Sequence, residues 1–313
     1  MDWLLAILQT ALFVLSAPLL LGWVKRLKSL SQNRQPAPVI QPYRDLNRLF
    51  HKEVVISHHA SWIFRVTPYI LFGTAVLAAS IVPLIATTLP TAAIADMIVL
   101  VGFFALGRFF LALAGMDTAT AFGGMGASRE MTISSMAEPA MLMAIFTLAM
   151  TASTTNLSTA MTFVLNEGLV LRPSFIFAAL GLLMVAVVET GRIPTDNPAT
   201  HLELTMVHEA MILEYSGRYL ALIEWAAQIK LMVYGVLVLN LFFPWGIATS
   251  FEPQALLISG ITIIAKLMLL AFILVVSETI VAKMRLFQIP QYLSFAFLLC
   301  LLGALSYIIL EVA

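Results

Sequence analysis

Eight long apolar runs decide most of what this chain can become; they fall at about 3–24, 64–89, 94–115, 132–154, 172–190, 219–246, 255–281 and 290–311. About 20 apolar residues make an α-helix long enough to cross roughly 30 Å of hydrocarbon. In lipid the backbone has to satisfy its own hydrogen bonds, so each run is expected to be helical. The fold class that follows is all-α, a polytopic membrane protein with about eight transmembrane helices. Composition agrees, since 61% of the 313 residues are hydrophobic and 11% charged, against roughly 45–50% and about 25% in soluble domains. The fourth run is the weakest, diluted by Glu138 and several serines and threonines. The start MDWLLAILQTALFVLSAPLLLGWVKR carries an acid where a leader would be basic, so it is expected to stay as the first span. No repeat, low-complexity segment or soluble domain is visible. Residues 1–313 are therefore read as one membrane domain with loops at about 25–63, 116–131, 191–218 and 282–289.

Basic residues set the orientation. Lys25, Arg26, Lys28, Arg34, Arg44, Arg48, Lys52 and Arg65 crowd the first loop, and Arg129, Arg192, Arg218, Lys283 and Arg285 fall in later loops of the same parity. The opposite loops and ends hold Asp2, Asp96, Glu167, Glu252 and Glu311, with Arg172 among them. By the positive-inside rule the basic loops face the cytoplasm and both termini face outward. The formal net charge is +0 with the basic residues held in loops, and no nucleic-acid partner is expected. The lone Cys300 excludes an internal disulfide and an iron–sulfur cluster, which needs about four ligands.

The first loop contains QPYRDLNRLFHKE, expected to form a helix starting at Pro42. Tyr43, Leu46, Leu49 and Phe50 share one side, and Arg44, Arg48 and Lys52 line another. Such a short basic amphipathic helix either lies on lipid headgroups or docks a soluble partner.

Residues 189–219 hold five of the 17 acidic residues, Glu189, Asp196, Glu203, Glu209 and Glu214, together with Arg192 and two of the 5 histidines. Gly191, Pro194, Asn197 and Pro198 forbid a continuous helix, and a new one is expected to begin after Asn197 or at Thr200. Further ionisable groups sit at the ends of spans or inside them: Asp117, Glu138, Glu224, Glu278 and Arg108, with Lys230 and Lys266 deepest. A charge at such depth costs roughly 2.5–3.5 kcal/mol on insertion scales, so several together ask for a reason. They either pair to hold helices together or form a path for protons or cations. The constellation favours the path. Few ionisable groups continue into the outer half, so an ion is expected to leave sideways into a neighbouring subunit. His201 and His208 are seven residues apart, too far for one zinc, and VHEA lacks the second histidine of H-E-x-x-H. No phosphate loop or catalytic triad is present, and no metal or catalytic site is assigned to this chain.

GRIPTDNPATHLELTMVHEAMILEYSGRYLALIEWAAQIKL resembles the membrane subunit shared by respiratory complex I (its subunit 1) and membrane-bound nickel–iron hydrogenases. QNRQPAPVIQPYRDLNRLFHKE is similar to the first cytoplasmic loop of that family. GMDTATAFGGMGASREM and the following Glu138-Pro139 place it nearest the hydrogenase branch, that of hydrogenase 4 component C and formate hydrogenlyase subunit 4. The resemblance implies eight spans with outward termini, in the inner membrane of a bacterial cell. It implies a subunit without catalysis or redox centre of its own, anchoring a soluble arm and relaying energy to antiporter-like subunits that pump protons or sodium. Hydrogenase large and small subunits and an iron–sulfur protein are the implied partners and would carry the nickel–iron site and clusters. Residue by residue, it points to Glu189, Arg192, Asp196, Glu214, Lys266 and Glu278 for coupling, and to Arg34, Arg44, Asp45, Arg129 and Glu130 in the loops. Pro194-Thr195-Asp196-Asn197 stands where complex I members tend to read Pro-Phe-Asp-Leu, and Gln35-Pro36-Ala37-Pro38 replaces a glycine turn. Both departures favour the hydrogenase branch over the quinone-binding complex I branch. A stand-alone secondary transporter is the third reading; it would usually show paired inverted halves, and none is seen.

Overall fold

A computed structural model describes residues 2–311 except 58–59, 89, 168–171, 193–205, 250–251 and 281–287. Eleven α-helices are described: α1 (Asp2–Ser31), α2 (Gln41–Phe50), α3 (Trp62–Ile81), α4 (Met97–Asp117), α5 (Ala121–Ala152), α6 (Leu157–Glu167), α7 (Pro173–Glu189), α8 (His208–Ile212), α9 (Gly217–Phe242), α10 (Pro253–Ile280) and α11 (Ile289–Ser306). Seven of them, α1, α3, α4, α5, α9, α10 and α11, are long and apolar enough to cross a membrane. The fifth expected span, α7, has 17 residues, or about 25 Å at 1.5 Å per residue, short of a 30 Å hydrocarbon layer.

Helix α9 is the central mast. In its most apolar window 72% of residues are buried, against 28% for α10 and α11, whose outer faces expose Leu257, Ile261, Leu269 and Phe295 as lipid-facing helices do. The chain ends sort into two groups. The end of α1, helix α2, the starts of α3, α5 and α9 and the end of α4 gather at what we term the basic end. At the opposite end lie the start of α1, the end of α3, the start of α4 and the end of α9.

Two of the prolines inside spans, Pro68 and Pro18, are answered by side chains from the mast region. Pro68 in α3 cannot donate to Phe64 O, four residues earlier. The Tyr215 hydroxyl donates to that carbonyl at 3.0 Å, its ring stacked on Phe64 at 3.9 Å. Pro18 in α1 likewise frees Val14 O, and the Trp225 indole N–H donates to it at 3.1 Å. An unmet carbonyl in lipid would cost several kcal/mol, so the aromatics of EYSGRYLALIEW close both gaps.

Two expectations change. The apolar run puts the fourth span from residue 132, but α5 starts at Ala121, because Thr120 caps it by accepting from Gly123 N–H at 3.2 Å. Arg129 and Glu130 therefore sit in a helix and not in a loop. The glycines allow a tight crossing here: a Cβ on Gly123 would strike the Gly115 carbonyl, and one on Gly126 would meet Ala210 and the Val207 carbonyl. Helix α2 begins at Gln41 with Pro42 in its first turn, as expected, but it is not laid on headgroups alone. Pro42 and Leu46 are buried against α1 and α9, and the preceding Val39 carbonyl rests where Gly22 of α1 has no side chain.

Candidate functional site

The shortness of α7 creates the site. Gly191, at φ +63°, ends the helix in a Schellman turn: its N–H donates to Val188 O at 2.9 Å and the Arg192 N–H to Val187 O at 3.0 Å. The last helical residue, Glu189, is thereby left level with the middles of α4, α5 and α9. Its carboxylate lies between two cations. Arg108 of α4 donates through Nη1 to Oε1, and Lys230 of α9 donates to Oε2 at 2.9 Å. Arg108 Nη2 also binds Glu138 of α5 at 2.8 Å, and Ser134, one turn earlier, donates to the same oxygen at 3.2 Å. Two carboxylates thus face two cations. A carboxylate at a helix C-terminus opposes the macrodipole, and the pair of cations offsets that. Side-chain exposure is 3% for Glu189 and 6% for Arg108, so neither has access to bulk solvent, and loss of Arg108 would leave buried carboxylates uncompensated. Phe104 and Tyr234 stack at 4.8 Å beside Lys230 and wall the cluster off toward the opposite end.

A cavity of about 160 Å³, here the inner cavity, opens on this cluster and is lined by Arg108, Glu130, Glu189, His208 and Lys230 among apolar residues. A second cavity of about 280 Å³, the entry cavity, is lined by Lys28, Arg192, Glu209, Glu224 and Glu278. Both count Thr190, Gly191, His208, Ile223 and Ala227 among their lining residues. In the entry cavity Glu278 of α10 is held by Lys28 of α1 at 2.5 Å and by Arg192 at 3.5 Å. Burial pulls the Arg192 guanidinium down from its ordinary value while Glu278 pushes it back up; an arginine stays charged in either case.

Of the sequence-predicted coupling residues, Glu138, Glu189, Lys230, Arg192, Glu209, Glu224 and Glu278 come together around these two cavities. Asp196 and Glu203, with His201 and the expected helix start near Asn197 or Thr200, lie outside the described residues. Asp117 lines neither cavity; it accepts from Ser61 N–H at 2.7 Å and ties the end of α4 to the start of α3. Glu214 is exposed and lines neither cavity. Its neighbours in EYSG fasten the first loop: Ser216 pairs with Val55 at 2.8 and 2.9 Å, and Gly217, at φ +52°, leaves no room for a Cβ against the backbone of Lys52 and Glu53. Burial pushes the Tyr215 phenol well up, which keeps it a neutral donor. Lys266 departs furthest from expectation: its ammonium donates to Phe243 O at 2.6 Å and to Trp245 O, carbonyls at the end of α9.

Arg34, Arg44, Arg48 and Lys52 are exposed, and Asp45 accepts from Gln41 at 3.0 Å and Arg48 at 3.5 Å. Arg44, Arg48, His51 and Lys52 line one open basic groove on α2. Arg129 donates to Met206 O at 2.8 Å and so holds the chain entering α8. Lys28 is the cavity residue that sequence reasoning missed; it groups with the loop cations because its partner Glu278 is 250 positions away. Arg108 was legible as an arginine inside a span, although its bridging of two glutamates was not. No group of three metal-ligating residues occurs among the described residues.

Comparison with known proteins matches residues 4–310 to the NADH dehydrogenase family. Formate hydrogenlyase subunit 4 of Escherichia coli is 30% identical over 291 residues, covering 93% of this chain and 94% of the relative. Hydrogenase-4 component C of the same organism is 31% identical over 283 residues, with 90% and 88% coverage. NADH-quinone oxidoreductase subunit 8 of Rhodothermus marinus is 24% identical over 264 residues, with 81% and 76% coverage. Among solved structures, a chain of the membrane-bound sulfane sulfur reductase, an archaeal respiratory membrane complex, superposes with a TM-score of 0.82 at 17% identity, covering 97% of this chain and 98% of that one.

Proposed function

This chain belongs to the NADH dehydrogenase family, that of complex I subunit 1, and from that premise we propose that it is the membrane anchor and energy-coupling subunit of a multisubunit, hydrogenase-like oxidoreductase. The two Escherichia coli relatives are named as parts of formate hydrogenlyase and hydrogenase-4. Their near full-length coverage supports a hydrogenase-type assignment, in a bacterial inner membrane with the basic end toward the cytoplasm. The partners we assign are hydrogenase large and small subunits with an iron–sulfur protein at the basic end, and antiporter-like subunits within the membrane. Redox chemistry belongs to the soluble partners, and this chain binds them and passes charge.

One observation carries the reading: Glu189, fixed between Arg108 and Lys230, faces a cavity that adjoins a second charged cavity at the basic end. A movement of the soluble arm that displaces either cation changes how strongly Glu189 holds a proton, and that converts a mechanical event into proton transfer. Among the described residues the path narrows to Glu138, Glu189, Arg192, Glu209, Glu224, Lys230 and Glu278 with Arg108 and Lys28. Asp117, Glu214 and Lys266 leave it.

The test is an E189Q variant in the whole complex, purified and placed in proteoliposomes, with proton movement read by a pH-sensitive dye and sodium movement by radiosodium. The expected result is electron transfer that persists while ion movement per electron collapses. Full coupling in E189Q contradicts the proposal. Copurification of hydrogenase-type subunits, with nickel and iron in the preparation, checks the partner assignment.

A further inference from the structure

Among the described residues the two charged cavities adjoin at five shared residues, and four of these cannot carry a proton at neutral pH. Gly191, Ile223 and Ala227 have no titratable group, and the Thr190 hydroxyl already donates to Ala186 O at 2.7 Å. The fifth is His208. We infer that His208 is the proton-transfer residue joining the entry cavity to the inner cavity, an inference that rests on the coupling reading above.

Imidazole is suited to such a joint because its two nitrogens face different directions and can be protonated near neutral pH. A proton bound to water or a carboxylic acid in the entry cavity passes to one ring nitrogen, its O–H bond breaking as the N–H bond forms. The resulting imidazolium releases the proton on its other nitrogen to inner-cavity water. The ring is left neutral in the alternative tautomer, and a ring turn restores it. No oxidant or reductant takes part. The groups facing this step are Arg108 from α4, Glu130 from α5, Glu189 from α7 and Lys230 from α9 on the inner side. On the entry side they are Lys28 from α1, Arg192 beyond α7, Glu209 from α8, Glu224 from α9 and Glu278 from α10. Counting Glu138, which Arg108 holds, two cations meet three carboxylates on each side of the histidine.

The backbone around His208 is held in place. Arg129 grips Met206 O at 2.8 Å just before it. The missing side chain of Gly126 lets α5 press on Val207 and Ala210, and that of Gly115 lets α4 press on Met211. The glycine run of GMDTATAFGGMGASREM thus sets the position of the histidine, a task the coupling reading alone did not give it.

Three variants of the whole complex in proteoliposomes decide the matter: H208A, H208Q and E189Q, each read for assembly, electron transfer and proton movement. Expected for H208A is a fall in protons per electron of roughly tenfold or more, largely restored by imidazole in the buffer. H208Q keeps the volume without a titrating ring; it should assemble to the usual level, lose the same proton yield and show no rescue. If H208A fails to assemble, H208Q alone carries the test. Full proton yield in H208Q, or a loss in H208A that imidazole leaves untouched, overturns the inference. Should E189Q uncouple the complex while H208Q does not, the histidine assignment fails and the coupling reading stands. Should E189Q stay coupled, the coupling reading itself fails.

Discussion

Around the inner and entry cavities Arg108, Glu189, Lys230, Lys28 and Glu278 are charged and paired; at the opposite end Gln9, Asn240, Ser259 and Thr262 are neutral and bonded to backbone. The opposite end faces the same difficulty, because α3 stops at Ile81 and α9 at Phe242, leaving non-helical chain at 82–88 and 243–249. Those segments answer each other and their neighbours. Ala248 N–H donates to Ile85 O at 2.9 Å and Thr87 N–H to Ala248 O at 3.2 Å. Asn240 donates to Pro83 O at 2.8 Å, Ser259 to Ile85 O at 2.6 Å and Thr262 to Gly246 O at 3.2 Å, while Gln9 accepts from Ile85 and Ala86. Irregular backbone is tolerated in a membrane where it is buried and satisfied in this way. Lys266 is charged but serves the same task, since it caps the end of α9 as a cation at a helix C-terminus does. One end gathers charged pairs around cavities, and the other satisfies irregular backbone.

The largest expected difference between the ends comes from R108M. Removing this cation leaves Glu189 and Glu138 facing each other with only Lys230, and breaking a buried pair costs about 3–5 kcal/mol. The protein should fail to accumulate in membranes or melt far earlier in detergent, and wild-type stability would refute the claim that the cluster is a single electrostatic unit. Y215F comes next. It frees Phe64 O beneath Pro68 and should cost about 1–3 kcal/mol, seen in thermal unfolding. Because burial raises the Tyr215 pKa above its ordinary 10.0, the neutral phenol's contribution is fully present below about pH 10 and is lost above it, so the Y215F difference should be flat through neutral pH. K266M should cost up to about 1 kcal/mol by uncapping α9 and leave ion movement per electron unchanged. Uncoupling by K266M would erase the functional distinction between the two ends. The smallest effect on the chain itself is expected from R44E/R48E on the exposed groove of α2, which should leave its stability and the cavities untouched. It should loosen the soluble arm as salt is raised, measured by the share of that arm retained on washed membranes.

Much of this was legible in the sequence because membrane physics leaves few choices. Apolar length gave seven of the eight expected spans, and Pro42 with an alternating basic face gave α2. Gly191 announced the end of α7, since only a residue at ease with positive φ closes such a turn. What escaped were quantities set by distant partners. Nothing local says that α7 stops short enough to bring Glu189 against Lys230, or that Lys28 waits for Glu278. The glycines around residue 123 read as a loop because glycine weakens helices; in fact they are a crossing point, a role defined by α4 and α8. Lys266 reads as part of an ion path because a charge in a span usually has a functional reason; its bonds to the Phe243 and Trp245 carbonyls depend on where α9 ends, which nothing near Lys266 announces.

Cysteine accessibility tests most directly whether solvent enters from the basic end and stops. Cys300 is the chain's single cysteine and is buried against Gly181, so C300A gives a clean background. Single cysteines at Thr190 and Ala227, which line both cavities, and at Asn240 and Ser259, which are buried at the opposite end, would be exposed to a small charged methanethiosulfonate from each side of the membrane. Modification is expected at 190 and 227 from the basic side only, and none at 240 or 259 from either side. Reaction at 240 or 259, or silence at 190 and 227, would contradict it.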